Sequence, residues 1–505
     1  MFSRTVKRHI FGPVLVATLT AATAGCSEST AGTDEVQNSL EELQPVGVCS
    51  SATDVIKAFQ RGRLTSAQYV ELLLATAETN AKLNAFIHLD PAQVRADAAA
   101  ADLRRAATTS PGPLNGLPIL VKDNIDTAAM PTTGGTPALI GNQPDANAPV
   151  AQALLDAGAI VFGKTNMHEL AFGITSNNAA FGPVRNPFDL TKIPGGSSGG
   201  NGAAISSCIA PVGIGTDTGG SLLIPAALTH IVGFRPTIGR YNSHGIVPIS
   251  HTRDTPGPMA RTLADAILLD GVVTGGPTSL PPARIDGLRI GVPRAYYYEN
   301  LEPGVAAAME SALKRLRDAG AILVEADIPN VGTLNNAASF PIALFEVVED
   351  LQAYLDSHHL GLHITTVADR VASPDVKGVL HAAIGGAIPR DVYLDAIQVQ
   401  RPALQAAFKN YFNDNAVDVI IYSTTPLPAA PIGQDTTVEL NGQQVPTFGT
   451  YIRNTDPESV AGIPALSLPL GFVGSLPVGV ELAAREGDDR KLLSVGLAVE
   501  RELQQ

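Results

Sequence analysis

The amino-acid sequence predicts an α/β protein with a buried sheet. Segments with helical periodicity alternate with short apolar segments that are typical of strands. A helix at 150–157 precedes a strand at 159–164, and a long helix at 303–319 precedes a strand at 322–324. Hydrophobic residues make up 45% and charged residues 16% of the 505 residues, as in globular proteins. Such alternation is typical of α/β layers, and the length fits one large domain or two to three ordinary ones.

The remaining elements are predicted from the same signals, in chain order. Thr65 and Gln68 have the spacing of a capping box, which predicts a helix that continues to residue 79. An Ala- and Arg-rich helix is predicted at Pro91–Ala107. Further strands are predicted at 117–121, Arg289–Val292, 417–422 and 466–469, and a closing helix at 489–503. Residues 332–411 are expected to form a mainly helical, cap-like region.

The N-terminal stretch 1–26 has the pattern of an export signal. A basic region comes first, an apolar stretch follows at 11–24, and small residues precede Cys26. This ending is similar to a bacterial lipoprotein processing site, at which Cys26 becomes the lipidated N-terminus; an ordinary export signal is the alternative. The stretch 27–46 is polar and acidic, which predicts a flexible tether. We expect an exported protein, in the periplasm or at the cell surface of a bacterium, that contacts the membrane only through a lipid anchor.

Charge and cysteine usage exclude several classes of partner. The net charge of −14 and the lack of basic clusters argue against a nucleic-acid partner. No Cys/His grouping has the spacing of metal ligands, so we expect no metal and no cofactor. Beyond Cys26, only Cys49 and Cys208 remain. A disulfide between them is one option in an oxidising compartment, but the favoured prediction is a free Cys208 buried between apolar neighbours.

The stretch 193–227 contains two glycine-rich turns that each carry serine, separated by a short apolar run. Glycine allows backbone conformations in which N–H groups point at a ligand. A serine in such a turn can act as a nucleophile, and the neighbouring N–H groups can stabilise the oxyanion that develops. A flexible linker is the alternative interpretation of Gly/Ser clusters.

A serine nucleophile requires a base. The G-x-S-x-G pattern does not occur around either turn. Of the ten histidines, the candidates for this base are His168, His230, His244 and His251, but the sequence does not determine their positions relative to a serine. The best remaining candidate is Lys122, at the end of the predicted strand 117–121, because burial can lower the pKa of an amine and leave it neutral. The alternative is a lysine that reaches solvent past the end of its strand.

Four motifs together resemble the amidase-signature family. They are GLPILVKDNI at 116–125, PGGSSGGNGAA at 194–204, GTDTGGSLLIP at 215–225 and VGFRP at 232–236. This family uses a Ser–cis-Ser–Lys triad, and the spacing along the chain from Lys122 to Ser197 and on to Ser221 matches the family's. The resemblance covers about 50–505 of the chain. It implies a single amidase-signature domain at 47–505, with a central mixed β-sheet covered by helices on both faces.

The resemblance also implies roles for individual residues. Ser221 would be the nucleophile and Lys122 the base. Ser197, held by a cis peptide after Gly196, would be the serine that bridges them. The implied oxyanion hole consists of the backbone N–H groups of Thr218, Gly219, Gly220 and Ser221. Ser198 would be a supporting hydrogen-bond partner.

Two positions depart from the family pattern. Leu223 stands where the family usually has an arginine shortly after the nucleophile, and His230 stands where it usually has glycine. That arginine normally pairs with the aspartate that matches Asp217. We therefore expect Asp217 to find another partner, either His230 or a backbone N–H group. The triad itself is intact, so catalysis is expected.

Four further tracts look like the subgroup of mandelamide and indoleacetamide hydrolases. They lie at 181–190, 239–261, 451–464 and 476–481. The resemblance implies hydrolysis of a small-molecule amide, in particular a primary arylacetamide, to the acid and ammonia through an acyl-serine. Alternatives are an esterase or carbamate hydrolase with the same triad, or a catalytically degenerate ligand-binding lipoprotein. Arg253 and Asp254 are expected to be packing and ion-pair residues, and a homodimer is one assembly that the resemblance allows.

Overall fold

A computed structural model describes residues 47–108 and 110–504. The predicted export signal with Cys26 and the predicted tether at 27–46 lie outside the described residues. The strands are β1 Phe86–His88, β2 Pro118–Lys122, β3 Ile160–Thr165, β4 Asn177–Asn178, β5 Gly182–Pro183, β6 Val212–Asp217, β7 Val232–Arg235, β8 Thr255–Ala260, β9 Arg289–Val292, β10 Ile322–Glu325, β11 Val419–Ser423, β12 Thr437–Leu440, β13 Gln443–Pro446, β14 Ala465–Val473 and β15 Leu476–Ala483.

The α-helices follow in the same chain order. They are α1 Ala52–Gln60, α2 Ser66–Thr79, α3 Pro91–Ala107, α4 Pro149–Asp156, α5 Gly199–Ser206, α6 Leu223–Leu228, α7 Leu263–Thr274, α8 Pro303–Asp318, α9 Val331–Ser357, α10 Ile364–Arg370, α11 Pro374–Ile384, α12 Arg390–Asp395, α13 Arg401–Asp414, α14 Thr447–Ile452, α15 Asp456–Ala461 and α16 Asp489–Gln504. Shorter helical turns lie at Ala81–Leu83, Pro137–Leu139, Glu169–Ala171, Arg294–Tyr297 and Ala396–Gln400.

Eleven of the strands form one mixed sheet, in the order β1-β3-β2-β6-β8-β7-β14-β15-β11-β9-β10. β2 lies parallel to both β3 and β6, and β9 lies parallel to both β10 and β11. Every residue of β2, β3 and β6 is buried, as expected for parallel strands that helices cover on both faces. The predicted fold class, an α/β domain around a central mixed sheet, is confirmed.

Local signals in the sequence account for several element boundaries. The Thr65 side chain accepts from the Gln68 N–H at 3.1 Å, and the Gln68 side chain accepts from the Thr65 N–H at 3.0 Å, which completes the capping box. The bounds of α3 and β9 agree with the prediction to the residue. β14 extends well beyond the predicted 466–469 because it pairs with β15 along its whole length. That pairing adds Ala465 and residues 470–473 to the strand.

The stretch 332–411 is mainly helical in the structure and contains α9 to α12 and most of α13. It has an apolar core of its own, built from α9, α10 and α11. Leu139 and Leu170, from loops that follow β2 and β3, belong to the same core. The helices are therefore packed onto the loops at the carboxyl ends of the two strands.

Cys208 is half-buried and is disulfide-bonded to Cys49, so the favoured prediction of a buried free thiol is wrong. Its apolar neighbours Ile205, Ile209 and Ala210 are buried, whereas Cys208 itself lies half-buried in the connection between α5 and β6. Because that connection lies near the surface, the exposed segment that precedes α1 can reach it. The bond joins residues 159 positions apart.

We expect loss of this disulfide to lower the free energy of unfolding by up to about 5 kcal/mol, because a cross-link that closes so long a loop restricts the unfolded chain. The test is urea denaturation of C49S and C208S beside the parent chain, with and without dithiothreitol. Reductant should shift the parent midpoint to that of the variants and leave the variants unchanged. Equal midpoints for all three proteins would contradict the prediction.

Candidate active site

The site lies at the carboxyl ends of the neighbouring parallel strands β2 and β6. Lys122 is the last residue of β2 and is fully buried. Its Nζ lies 2.7 Å from Ser197 Oγ and 2.7 Å from Thr216 Oγ1, and 3.4 Å from the Thr216 carbonyl oxygen. Lys122 therefore does not reach solvent past the strand end. The structure brings together Lys122 and Ser197, which the sequence analysis placed in one triad.

Thr216 is a site residue that sequence reasoning missed. Its hydroxyl oxygen accepts from Lys122 Nζ and from Asn124 Nδ2, the latter at 3.0 Å. Together with its carbonyl oxygen, Thr216 offers Lys122 two acceptors. A neutral amine has two N–H donors and one lone pair, so an amine that donates both protons to Thr216 directs its lone pair toward Ser197. The signal in the sequence was the position of Thr216 within the GTDTGGS motif.

We expect Thr216→Val to lower kcat by about tenfold to 100-fold with little change in KM, because the variant removes one acceptor of the Lys122 amine and leaves the binding cavity intact. Steady-state kinetics of ammonia release test this. Thr216→Ser retains the hydroxyl and should retain most of the activity. A valine variant as active as the serine variant would exclude this positioning role.

Ser197 follows a cis peptide bond with Gly196 and is fully buried. Its carbonyl oxygen accepts from the His168 N–H at 3.1 Å and from Ser176 Oγ at 3.4 Å. A Cβ on Gly200 would lie only 2.3 Å from the Asn166 carbonyl oxygen. The glycines of this turn therefore allow a close approach of main chains that other residues would prevent.

Ser221 lies at the wall of a cavity and is 7% exposed. Its carbonyl oxygen accepts from the Ser198 N–H at 3.3 Å, which places the two glycine-rich turns side by side. Ser198 Oγ donates to the Thr216 carbonyl oxygen at 3.3 Å. In the part of the chain that the structure describes, Ser221 Oγ has no hydrogen-bond partner, so this hydroxyl is free to meet a substrate.

The four predicted oxyanion donors are not equivalent. The Gly220 N–H donates to Asp217 Oδ1 at 2.8 Å, so the prediction is corrected for Gly220, whose N–H already has an acceptor. Two hydroxyl groups bind the carbonyl oxygens of the residues before Gly220. Ser459 Oγ lies 2.5 Å from the Thr218 carbonyl oxygen, and Thr455 Oγ1 donates to the Gly219 carbonyl oxygen. The Thr218 carbonyl and the Gly219 N–H belong to the same trans peptide and point in opposite directions. Because Ser459 binds the carbonyl oxygen, the Gly219 N–H points away from the Ser459 side chain.

Asp217 is fully buried and has both a backbone and a charged partner. Its second oxygen accepts from the Leu222 N–H at 2.8 Å, as the sequence analysis allowed. The cation is Arg235, whose Nη1 lies 3.3 Å from Asp217 Oδ1. Arg235 belongs to the VGFRP motif. It supplies the cation that the family's usual arginine would supply at position 223, where this chain has leucine.

His230 is not the partner of Asp217, so that option is excluded. It has a φ of +58°, in the left-handed region where glycine is favoured. Its ring packs against Phe472, with centroids 4.8 Å apart, and against Phe188 at 6.2 Å. The departure from the family glycine therefore produces an aromatic contact instead of an ion pair.

Burial lowers the pKa of the Lys122 ammonium to about 7, although the carboxylates of Asp217 and Asp254 act in the opposite direction. Burial also raises the pKa of Asp254 to about 6. Asp254 Oδ1 accepts from Thr218 Oγ1 at 2.6 Å and so helps to hold the second turn. A buried lysine that is half neutral near pH 7 has the property that a general base requires.

We expect kcat/KM for amide hydrolysis to rise with pH and to level off above about pH 7, because only the neutral form of Lys122 can accept a proton. The sign follows from the depressed pKa of Lys122: lowering the pH through about 7 protonates the amine and removes the base. A pH profile of kcat/KM on the parent enzyme tests this. Activity that falls on raising the pH through 7 would contradict it.

A cavity of about 320 Å³ opens beside Ser221. Most of its lining is apolar, including the side chains of Phe172, Ile174, Phe340, Leu344, Phe448 and Ile452. Phe340 belongs to α9, so the predicted cap-like region supplies part of this wall. A larger depression of about 600 Å³ between α2, β1 and α3 contains none of the predicted site residues.

Arg253 forms an ion pair with Asp456, with Nη2 2.5 Å from Oδ1, as predicted, and both also line the cavity. Sequence reasoning did not find the group formed by His251, Glu346 and Asp350, whose ligand atoms lie within 4.8 Å of one another. Its carboxylates accept hydrogen bonds from protein donors, including His251 Nδ1 to Asp350 Oδ2 at 3.0 Å.

Similarity to known proteins in sequence and in fold identifies the family of the chain. The Amidase family model matches residues 68–493. The chain is 44% identical to an indoleacetamide hydrolase of Agrobacterium vitis, with 90% of this chain and 97% of the relative covered. It is 39% identical to a mandelamide hydrolase of Pseudomonas putida, with 89% and 90% covered. The peptide amidase of Stenotrophomonas maltophilia has a similar structure, with a TM-score of 0.79 and 29% identity over 90% of this chain and 97% of that one.

The fold, and the buried Lys122–Ser197 pair near a cavity that Ser221 lines, are thus those of an amide hydrolase, and the chain belongs to the amidase family. It is an enzyme that hydrolyses a carboxylic amide to the acid and ammonia. Among the relatives compared, it is more similar in sequence to the indoleacetamide and mandelamide hydrolases than to the peptide amidase.

Proposed function

We propose that the enzyme hydrolyses primary arylacetamides, with Ser221 as nucleophile, Ser197 as proton relay and Lys122 as base. The observation that carries the proposal is the 2.7 Å contact between Lys122 Nζ and Ser197 Oγ, in a fully buried setting next to Ser221. The contact provides the first half of a proton path from the nucleophile.

Each step of the reaction follows from these groups. The neutral Lys122 amine takes the Ser197 proton while Ser197 Oγ takes the Ser221 proton, and Ser221 Oγ attacks the amide carbonyl carbon. The carbonyl oxygen becomes an oxyanion, which free N–H groups of the second turn stabilise. The proton returns through Ser197 to the leaving nitrogen, so ammonia departs. Water then hydrolyses the acyl-serine by the same route, releasing the acid and the free enzyme.

The second half of the path, from Ser221 to Ser197, forms as the substrate binds. Catalytic hydrogen bonds are commonly long in substrate-free enzymes and shorten in the Michaelis complex. The bond between the Ser198 N–H and the Ser221 carbonyl already holds the two turns in register.

The aryl specificity is inferred from the lining of the cavity and from the relatives. Three phenylalanines and several branched aliphatic side chains surround the space next to Ser221. A volume of about 320 Å³ accommodates a small aromatic amide. The similar proteins include an indoleacetamide hydrolase and a mandelamide hydrolase, whose names describe amides with an aromatic acyl group.

The test is ammonia release by the purified full chain on indole-3-acetamide, phenylacetamide, mandelamide and hexanamide, with methanol release from methyl phenylacetate, the matching ester, measured in parallel. We expect kcat/KM to be at least about tenfold higher for the aryl amides than for hexanamide. Equal rates on hexanamide would overturn the aryl assignment. Hydrolysis of the ester without hydrolysis of any of the amides would favour the esterase alternative.

We further infer that the enzyme is exported and anchored by a lipid on Cys26. The order of basic, apolar and small residues before Cys26 supports this location. The Cys49–Cys208 disulfide also supports it, because such bonds persist in oxidising compartments. Membrane fractionation with radiolabelled palmitate should find the label in the parent chain and not in Cys26→Ser. A soluble, unlabelled parent chain would refute the anchor.

A further inference from the structure

We propose that a wall of the catalytic cavity, formed by Asp375, His168, Thr175 and Asp435 and here named the acidic wall, sets the charge preference of the enzyme. It favours amides whose acyl group carries a cation or a hydrogen-bond donor away from the scissile bond, and it rejects acyl groups that carry a carboxylate. This inference rests on the proposed function, because it concerns the same cavity.

A continuous chain of hydrogen bonds forms the wall. Asp375 Oδ2 lies 3.1 Å from His168 Nε2, and His168 Nδ1 lies 3.3 Å from Thr175 Oγ1. Thr175 Oγ1 then donates to Asp435 Oδ1 at 2.9 Å. Asp375 and Asp435 both line the cavity that contains Ser221. The two carboxylates, which are far apart in sequence, thus belong to one polar surface.

The hydrogen-bond donors and acceptors and the ionisable groups of the acidic wall determine the sign of its charge. Thr175 has one hydroxyl proton, which it donates to Asp435, so Thr175 Oγ1 can only accept from His168 Nδ1. Although burial acts in the opposite direction, the hydrogen bond and the charge of His168 lower the pKa of Asp375, so its carboxylate also accepts. Asp375 and Asp435 are two carboxylates, and the single imidazole of His168 could offset only one of them, so the net charge of the wall is negative.

Among the described residues that line the cavity, no other charge offsets the acidic wall. The remaining charged residues of the lining are Arg253 and Asp456, which neutralise each other. Arg253 Nη1 also donates to Ser339, to its carbonyl oxygen at 3.1 Å and to its hydroxyl at 3.0 Å. The Arg253 guanidinium thus already donates hydrogen bonds to acceptors within the protein. An anionic acyl group would enter a cavity of like net charge, which is unfavourable in a partly desolvated site.

The wall is rigidly held and still has acceptor capacity. Asn177 Nδ2 donates to Asp435 Oδ2 at 2.6 Å. Glu169 accepts from the backbone N–H groups of Ala372 and Ser373, which fixes the start of the helix that carries Asp375. Each carboxylate has about four lone-pair sites, more than these bonds use. A donor on the substrate can therefore bind without breaking the chain.

The test compares kcat/KM for three phenylacetamides of similar size, with aminomethyl, hydroxymethyl or carboxyl at the para position. In the parent enzyme we expect the order cation, neutral, anion, with a cation-to-anion ratio of at least about 100. In Asp435→Asn and in Asp375→Asn this ratio should fall by about tenfold or more. Asp369→Asn makes the same charge change on α10, outside the cavity lining, and should leave the ratio unchanged.

A ratio near one in the parent enzyme, or a ratio that both wall variants leave unchanged, would overturn the proposal. An equal fall in Asp369→Asn would do the same, because it would indicate a long-range field instead of a wall. If no phenylacetamide is hydrolysed, the aryl assignment fails, and the comparison moves to 6-aminohexanamide, hexanamide and the monoamide of adipic acid. The same ratios then decide the role of the wall independently of the aryl group.

Discussion

Replacing Ser221 with alanine is expected to abolish amide hydrolysis, lowering kcat by about 10⁴-fold or more, because the acyl-enzyme can no longer form. The fold should be retained, since Ser221 is bonded to the rest of the site through its carbonyl oxygen and not through its hydroxyl. The measurement is ammonia release, together with intact-protein mass spectrometry after treatment with a fluorophosphonate.

The parent enzyme should gain the mass of one phosphonyl group, and S221A should gain none. Ser207→Ala is the matched control, because it removes a hydroxyl in the turn after α5, at the far end of the helix that begins beside Ser198. That control should be labelled and active. Labelling of the S221A protein at the parent rate would show that another residue is the nucleophile.

Lys122→Met is expected to lower kcat by about 10³-fold and to remove the inflection near pH 7 from the pH profile. Methionine preserves the unbranched shape in the buried space but cannot accept a proton. Lys122→Arg should be as inactive as the methionine variant, because a guanidinium stays protonated at every accessible pH. These outcomes separate a requirement for a neutral amine from a requirement for positive charge.

Lys164 supplies the control for burial itself. It is also fully buried, on the adjacent strand β3, and its Nζ contacts the Pro131 carbonyl oxygen at 3.0 Å and Asp123 Oδ1 at 3.4 Å. Lys164→Met should reduce thermal stability, since it leaves a buried carboxylate unpaired, but the remaining active fraction should keep the pH profile of the parent.

A Lys122→Met enzyme with full activity would exclude the proposed base.

Prediction from the sequence was most accurate where short-range physics determines the structure. The capping box at Thr65, the bounds of α3 and the strand that ends in Lys122 depend on neighbouring residues and on apolar runs. The pairing of Lys122 with Ser197 was expected from a family resemblance that extends over four motifs. Its geometry, 2.7 Å apart and shielded from solvent, is a property of the fold.

Predictions were less accurate where partners come from distant segments. The cation that pairs with Asp217 is Arg235, and no local signal distinguishes it from His230. The Gly220 N–H donates to the Asp217 carboxylate, and the glycine-rich pattern of the sequence does not indicate this hydrogen bond. The Cys49–Cys208 bond joins distant segments of the chain. The apolar residues near Cys208 in the sequence indicated a buried thiol, although Cys208 lies in an accessible turn.

The sequence by itself determined the α/β class, the helices with strong caps and, through motifs that resemble a known family, the choice of Lys122, Ser197 and Ser221 as candidate catalytic residues. Those features depend on hydrogen bonds within a turn, on periodicity and on the requirements that catalysis places on certain residue types. Only the tertiary structure decided which acceptors bind the Lys122 amine, which cation pairs with Asp217 and which carboxylates line the cavity beside Ser221. These depend on close contacts between side chains far apart along the chain, and the burial that lowers the pKa of Lys122 exists only once those segments have packed together.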